Sequence, residues 1–440
     1  MFTNKKIFIL GMARSGYEAA KLLSGMNNII VLNDSKPQDI SHVEELRKKG
    51  VDVIIGDYPL IDESFDYVIK NPGIKDNHPL IVMAKSLSIP VINEIEMAYN
   101  LLPKNITIIG VTGSNGKTTT TSILYDIIKN SGKSVILAGN IGYPLSSFIG
   151  KIKENDILLM EISLQQLCNF DKFKTDISVL TNIYDAHLDF VGSKERYIEI
   201  KKKIFSHHTK NDYAVLNYNC NDILNNINDI NSTKLFFGSN ENCICSLLND
   251  SIIYNGKKYI NTSDLKLKGN HNYENIMASI IVSKILGIDD DSIIKTLKEF
   301  KSVEHRIEYV GTYDGVDVYN DSKSTNIKAT QIALSSFNKP IILLLGGLDR
   351  GHSFDDLASY MKNVKLVISY GETKNRIKDF CILNNIKCLV CNDLKEATNL
   401  SKIESKEGDI ILLSPACASW DQFKDFEERG KCFKKYIKTK

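Results

Sequence analysis

The chain has 440 residues, 55 basic against 53 acidic side chains, a formal net charge of +2 and 9 cysteines. That length suggests about three domains, each able to bury its own core, and the charge balance leaves no one-sign field for nucleic acid or an anionic membrane. Small-molecule partners are therefore expected, bound by a monomer.

The N-terminal apolar run Ile7 to Ala13 is too short, and too closely flanked by Lys5, Lys6 and Arg14, to be a signal peptide. No apolar run approaches the ~18 residues of a membrane span. An odd number of cysteines, scattered from Cys168 to Cys432, suits reduced thiols better than a disulfide framework. The cytoplasm is the expected compartment.

Strand-like runs then alternate with helical patterns. The first set is Lys6 to Met12, Asn28 to Asp34, Asp52 to Gly56 and Asp66 to Lys70. The second is Asn105 to Val111, Ser134 to Gly139, Asp156 to Ser163 and Asp176 to Ile183. A third runs through Gly315 to Asn320, Pro340 to Gly346, Lys365 to Gly371, Ile386 to Val390 and Asp409 to Ser414, with helices such as Asn326 to Phe337 between.

This repetition marks parallel sheets. It predicts an α/β protein of three domains, 1–100, 101–303 and 304–440, with breaks near Leu102-Pro103-Lys104 and Lys301 to His305. The outer two read as Rossmann-like and the central one as a parallel sheet of the phosphate-loop ATPase type. From about 211 to 268, short Asn-rich strands and turns predict a small β-rich insert. Cys388-Leu-Val-Cys391 has zinc-knuckle spacing but no second Cys or His pair, and reads as core strand.

In the first unit, Gly11-Met-Ala-Arg14-Ser15-Gly16 follows the opening strand and Asp34 ends the second. This is half of a dinucleotide fingerprint without the G-x-G-x-x-G spacing, so a nucleotide-bearing substrate fits better than NAD. The strongest signal is Gly110-Val-Thr-Gly113-Ser114-Asn115-Gly116-Lys117-Thr118-Thr119 between a strand and a helix. Glycines at 110, 113 and 116 let backbone N–H groups turn toward an anion, Lys117 supplies a cation for phosphates, and Thr118 can ligate Mg2+. The loop is one residue longer than G-x-x-x-x-G-K-[ST]. ATP is the expected nucleotide.

Glu161 ends the run Ile157 to Met160, where a carboxylate beside a phosphate loop can hold Mg2+. The next strand leads through Thr181-Asn-Ile-Tyr184 to Asp185-Ala-His187-Leu-Asp189, bringing a histidine and two carboxylates to the same carboxyl edge. Gly139-Asn140-Ile-Gly142 closes another strand there.

Together with Gly269-Asn-His-Asn272-Tyr-Glu-Asn275, these motifs resemble the ATP-dependent Mur ligases of peptidoglycan synthesis, over all three units. Ser414-Pro-Ala-Cys-Ala-Ser419-Trp-Asp-Gln-Phe423 and Gly346-Gly-Leu-Asp-Arg350-Gly351 resemble the branch that adds D-glutamate; the Asp-Asn-Pro-Arg signature of the diaminopimelate-adding relatives is absent.

The resemblance implies roles position by position. Lys117 and Thr118 would bind phosphates and one Mg2+, Glu161 would share that metal, and His187 would ligate a second. Lys201, four residues after Tyr197, would be an N6-carboxylysine helping to hold that second ion, since a carbamate turns a cation into an anionic ligand. Lys202 and Lys203 adjoin it, and a solvated basic helix face is the alternative. Asn272 and Asn275 would contact the nucleotide, and His305-Arg306 with Asp321-Ser-Lys323 would close over ATP.

Thr325, Arg350, Ser419 and Phe426 would grip the carboxylates of D-glutamate, a task a planar guanidinium suits. Arg14, Ser15, Asp34, Ser35, Lys36, Asn71 and Gly73 would hold the uridine diphosphate portion, and Asn140, Ser163 and Gln166 would face the substrate. The family's Ser-Ser-Phe-Gln reads Ser163-Leu-Gln-Gln166 here.

The implied reaction joins D-glutamate to UDP-N-acetylmuramoyl-L-alanine through an acyl phosphate. Three alternatives stand beside it: a sister ligase or folylpolyglutamate-type ligase using another amino acid, an oxidoreductase built on Asp34 and the Gly11 loop, and a non-catalytic ATP-gated binding protein.

Overall fold

The computed structural model describes residues 2–184, 188–301 and 304–439. Its strands form three sheets. The first contains β1 (Lys6–Leu10), β2 (Ile29–Asp34), β3 (Asp52–Ile55), β4 (Tyr67–Lys70) and β5 (Val91–Asn93), all parallel in the order β3-β2-β1-β4-β5. Order reverses beside β1, which opens a crevice at the carboxyl end between β1 and β4.

β1 illustrates why these runs read as continuously apolar. Ile7 and Ile9 pack into one core and Phe8 and Leu10 into another, because helices cover both faces of the sheet.

The central sheet has β6 (Thr107–Thr112), β7 (Val135–Gly139), β8 (Ile157–Glu161), β9 (Ile177–Leu180), β10 (Tyr213–Asn217), β11 (Thr233–Gly238), β12 (Cys245–Leu248), β13 (Ser251–Tyr254) and β14 (Lys257–Asn261). Its order is β14-β13-β12-β11-β10-β9-β6-β8-β7, parallel as far as β12 and antiparallel through β13 and β14. The Asn-rich stretch from about 211 therefore continues this sheet as its far edge.

The helix Lys117–Asn130 follows β6 directly and buries Ile123, Leu124, Ile127 and Ile128, spaced to share one face. It packs against the helix Asn270–Ile285.

The first and central sheets belong to one compact unit, Met1–Leu265 with Asn270–Glu299. Side chains at the end of β5 and in the segment after it make the join. Glu96, buried, accepts the N–H groups of Asp171, Lys172 and Phe173 at 3.1, 2.8 and 3.0 Å. Glu94 accepts the Ser146 N–H at 2.6 Å, and Asn93 donates to the Gln166 carbonyl at 2.6 Å.

The second compact unit is Lys266–Gly269 with Phe300–Lys440. Its sheet comprises β15 (Glu308–Tyr313), β16 (Val316–Asn320), β17 (Ile341–Gly346), β18 (Val364–Tyr370), β19 (Cys388–Val390) and β20 (Ile410–Leu413) in the order β15-β16-β20-β17-β18-β19. Only β15 runs antiparallel. On β17, Ile341, Leu343 and Leu345 face one core while Ile342 and Leu344 face the other.

All nine cysteines are free thiols. Among the described residues no helix is long and apolar enough to cross a membrane.

Candidate functional site

β6 runs further than the glycine pattern suggests. Gly110 lies inside the strand, paired with Met160 and Ser178, and not in the loop. A Cβ there would meet Thr175 at 2.9 Å and Ile204 at 3.0 Å, so this glycine permits close packing of the core and turns nothing toward an anion. The loop proper is Gly113 to Gly116. Gly116, at φ 84°, starts the helix, and a Cβ on it would sit 2.3 Å from Asn275 Oδ1. Glycine is required there on both counts.

Two lysines converge on the start of this loop. Lys117 Nζ donates to the carbonyls of Gly113 and Ser114 at 2.8 and 2.9 Å. Lys201 Nζ donates to Thr112 Oγ1 at 2.9 Å and to the same Gly113 carbonyl at 3.0 Å. Lys201 is only 1 % exposed, so burial, with the Lys117 cation adding to it, holds its amine well below the usual lysine range. Its neighbours differ: Lys202 pairs with Asp229 at 2.8 Å, and Lys203 donates to the Cys168 carbonyl at 2.7 Å. Position 201 is therefore not on a solvated basic face.

Glu161 ends β8 beside the loop, buried. Its Oε1 accepts from Asn140 Nδ2 at 2.6 Å, while Oε2 is buried without a hydrogen-bond partner. An orphaned carboxylate oxygen next to a phosphate loop suits a divalent cation, which would supply the missing partner. Gly139 and Asn140 are held against Glu161 by the Asn140 N–H, which donates to its carbonyl at 2.8 Å. Ser163 and Gln166 form a capping box on the helix Leu164–Leu167, so their positions follow from local structure whatever else they contact. His187 and Asp185, with the side chain of Asp189, lie outside the described residues.

On the other side of the loop, Asn275 Oδ1 accepts from Thr120 Oγ1 at 3.2 Å, and Asn275 Nδ2 lies 3.5 Å from Asn272 Oδ1. Ser114 Oγ meets the Tyr197 hydroxyl at 2.7 Å. The Ser114 and Asn115 N–H groups donate inward to Asn182, to its carbonyl at 2.9 Å and its Oδ1 at 2.8 Å. Those two donors are engaged within the protein, contrary to the expectation that the loop's N–H groups turn toward an anion. The N-terminus of the Lys117 helix, with Thr118 and Thr119 both buried, is left as the electropositive element of the loop.

At the first sheet's carboxyl edge, Asp34 accepts the Met12 N–H at 2.7 Å and the Lys36 N–H at 2.9 Å, beside exposed Ser35. Asn71 donates to Ser15 Oγ at 3.2 Å and accepts the Gly73 N–H at 3.1 Å. Arg14 Nη1 reaches to 3.5 Å from the Gly142 carbonyl, linking this edge to the turn that carries Asn140. The expected first-unit residues are thus brought together.

In the second compact unit, Asp321 is buried. It accepts from Ile307 N, Ser324 Oγ and Ser414 Oγ at 3.1, 2.5 and 2.7 Å, and burial pushes its carboxyl up to about 6. Arg306, whose charge partly offsets that burial, precedes Ile307. Lys323 Nζ lies 5.4 Å from the Phe426 ring centre, and its carbonyl accepts the Thr325 N–H at 2.9 Å. Arg350 stacks over Trp420 at 4.7 Å, next to buried Ser419, because Leu348 and Ala418 bridge the two loops.

Sequence reasoning missed Arg429. Fully buried, it donates to Ser322 Oγ, the Ser322 carbonyl and the Cys417 carbonyl at 3.0, 2.8 and 3.0 Å, tying the two loops that carry Lys323 and Ser419. An arginine amid the apolar positions of a final helix was the available signal.

His305 adjoins these residues, its carbonyl accepting the Lys323 N–H at 3.0 Å and its ring meeting Phe426 edge-on. Glu304, His305 and Glu308 cluster closely, but Lys434 already donates to both carboxylates at 2.6 and 2.8 Å. A cavity of about 680 Å3 lies at the opposite, amino end of the central sheet. Its Asp212 pairs with Lys174 at 2.9 Å and its Asp176 accepts the Ile108 N–H at 2.7 Å.

A parallel sheet with a glycine-rich strand–loop–helix turn, a buried carboxylate on the neighbouring strand and a separate α/β unit make up an architecture suited to nucleotide binding. The model of the Mur ligase middle domain matches residues 111–283, and that of the Mur ligase, glutamate ligase domain matches residues 305–417. The chain belongs to the Mur ligase family.

It is 41% identical over 439 residues to UDP-N-acetylmuramoylalanine--D-glutamate ligase of Bacillus cereus (strain G9842), covering 98% of this chain and 97% of that one. It is 42% identical to the enzyme of the same name from Streptococcus mutans, covering 98% and 96%. Among solved structures, the fold matches UDP-N-acetylmuramate-alanine ligase MurC of Thermotoga maritima with a TM-score of 0.64 at 20% identity, over 98% of both chains. It matches MurF ligase of Thermotoga maritima in complex with ADP with a TM-score of 0.62 at 21% identity, over 93% of this chain and 95% of that one.

Proposed function

We propose that this chain joins D-glutamate to UDP-N-acetylmuramoyl-L-alanine, converting ATP to ADP and phosphate, as a monomer in the cytoplasm during peptidoglycan precursor synthesis. The observation that carries this is identity of 41% across nearly the whole chain to enzymes of that name. In this reading residues 1–100 bind the uridine diphosphate end, 101–303 bind ATP and 304–440 bind the amino acid.

The chemistry follows from a poor leaving group. A carboxylate does not react with an amine at neutral pH, because oxide would have to depart. Transfer of the ATP γ-phosphoryl group to the alanyl carboxylate makes an acyl phosphate, the amine of D-glutamate attacks its carbonyl carbon, and phosphate leaves as the amide forms. The protein acts by positioning and charge. Gly116 to Thr119 would meet the phosphates, with Lys117 leaving its loop carbonyls for them, while Gly113, Ser114 and Asn115 hold the loop; Asn272 and Asn275 would contact the nucleotide, a role the family resemblance extends to Arg306 and Asp321.

Thr118, Glu161, His187 and Lys201 as N6-carboxylysine are the residues that would hold two Mg2+, which would offset negative charge on the transferring group. The partnerless Glu161 Oε2 supports that set. So does Lys201: burial draws its amine well below the usual lysine range, toward the neutral form that adds CO2.

Lys323 would orient the reacting phosphate. Arg14, Ser15, Asp34, Ser35, Lys36, Asn71 and Gly73 would hold the uridine diphosphate, and Asn140, Ser163 and Gln166 the muramoyl-alanyl portion. Thr325, Arg350, Ser419 and Phe426 would take D-glutamate. Arg350 lies over the Trp420 ring, and its guanidinium suits two-pronged binding of a carboxylate.

The test is phosphate release by purified enzyme with UDP-N-acetylmuramoyl-L-alanine, ATP and Mg2+, comparing D-glutamate, L-glutamate, lysine, diaminopimelate and no amino acid. Release that depends on D-glutamate is expected. Stimulation by lysine or diaminopimelate instead would assign a sister activity.

A further inference from the structure

We infer that Thr181 and Asn182, at the end of β9, are positioning residues that set the phosphate loop before nucleotide arrives; the inference rests on Gly113 to Thr118 being the ATP site. The loop, Gly113 to Gly116, holds two glycines, which have more backbone conformations to lose on ordering than other residues. The end of β9 removes that freedom in advance.

Both peptide groups of Asn115 are taken. Its N–H donates to Asn182 Oδ1 at 2.8 Å, and its carbonyl accepts from Asn182 Nδ2 at 3.1 Å and from Thr181 Oγ1 at 2.5 Å. The Ser114 N–H donates to the Asn182 carbonyl at 2.9 Å. Gly113, at φ 147°, lies so close that a Cβ would sit 2.0 Å from Thr181 Oγ1. The loop is seated directly on these two side chains.

They are themselves fixed from behind. The Thr181 N–H donates to the Thr112 carbonyl at 3.0 Å, and its own carbonyl accepts from Asn217 Nδ2 at 2.9 Å. Asn217 Nδ2 also reaches Glu274 Oε2 at 2.9 Å, and Glu274 Oε1 accepts from Asn219 Nδ2 at 2.8 Å. Glu274 precedes Asn275, which touches the Lys117 helix through Thr120. A continuous hydrogen-bonded chain therefore connects the helix Asn270–Ile285 to the phosphate loop.

With the Ser114 and Asn115 donors turned inward, the anion is met from Gly116 onward, and Thr181 and Asn182 fix where that helix start points. Preorganisation of this kind lowers the cost of binding without touching the ligand.

Three variants test this. Thr181→Val removes the hydroxyl at nearly constant volume, Thr181→Ser keeps it, and Asn182→Ala removes both amide bonds. Hydrogen exchange in nucleotide-free enzyme should be slow across Gly113 to Gly116 in the wild type and in Thr181→Ser, and at least ~10-fold faster in Asn182→Ala.

By calorimetry, the Kd of a non-hydrolysable ATP analogue should rise about tenfold in Asn182→Ala and Thr181→Val, the scale of one unreplaced hydrogen bond. Thr181→Ser should stay within about twofold of wild type and the KM for D-glutamate should not move. Unchanged exchange in Asn182→Ala, or unchanged analogue affinity in Thr181→Val, overturns the inference. So does a joint rise of Kd and D-glutamate KM with a lowered Tm, which would mean general loosening. Should Asn182→Ala fail to fold, the Val and Ser pair decides. Wild-type enzyme that binds no ATP analogue would instead sink the nucleotide reading itself.

Discussion

Burial and a neighbouring cation both draw a lysine amine's pKa down, toward its neutral, nucleophilic form, and Lys201 meets both conditions next to Lys117. Lys202 and Lys203 do not: both are only half-buried, and Lys202 is paired with the Asp229 carboxylate. Mass spectrometry of the intact enzyme in bicarbonate should therefore find the mass of one CO2 on the peptide containing Lys201, lost on acidification. Lys201→Ala should lose at least ~10²-fold in turnover, the scale of one missing stabiliser of transition-state charge, and recover part of it with a short carboxylic acid. Full activity without any carbamate would reject this role.

At this scale the sequence was uneven. Lys117, Thr118 and Glu161 were legible because each sits at a fixed offset from a strand end. Lys201 was reachable only by its spacing from Tyr197, and it took burial to separate it from its neighbours. Thr181 and Asn182 carried no motif: their work is hydrogen bonding to Asn115, 66 and 67 residues away. Gly110 misled because a glycine needed for packing inside a strand looks the same as one needed for a turn.

Among elements, the parallel strands were the easiest to read, since burial on both faces forces unbroken apolar runs such as Ile341 to Leu345. The strands missed were β5, three residues long after Pro90, and β15, an antiparallel edge strand that is half exposed. Neither has a second buried face to impose a pattern. The stretch from about 211 read as an insert because its strands are short and Asn-rich; only pairing reveals that β10 to β14 extend the central sheet.

The short helix Glu94–Tyr99 joins the first and central sheets, and it carries a titratable element. Burial pushes the Glu94 carboxyl up to about 7 from its ordinary 4.5. The folded state thus binds this proton more tightly than the unfolded chain does, so the stability it contributes is complete below pH 4.5 and is lost as pH rises toward 7. Urea unfolding should show Glu94→Gln with a flatter decline than wild type across that range. Parallel curves for the two proteins would mean that Glu94 does not titrate there.

For the whole molecule, three sheets each present polar residues at the carboxyl ends of parallel strands, and the expected site residues fall at those ends: Asp34 and Asn71, Thr118 and Glu161, Asp321 and Ser419. The alternation of strand and helix makes that architecture readable in the sequence. The choice of amino acid was not readable in the same way, because Arg350 and Ser419 are ordinary loop residues until the Leu348–Ala418 bridge brings two loops together, and Phe426 merely opens the final helix.

The central claim is that the γ-phosphorus of ATP passes to a carboxylate oxygen of the substrate. Synthesis with UDP-N-acetylmuramoyl-L-alanine labelled with 18O in its alanyl carboxyl group tests it directly. Phosphate released in step with D-glutamate addition should carry one 18O atom; phosphate free of the label, at the same extent of amide formation, would contradict the account.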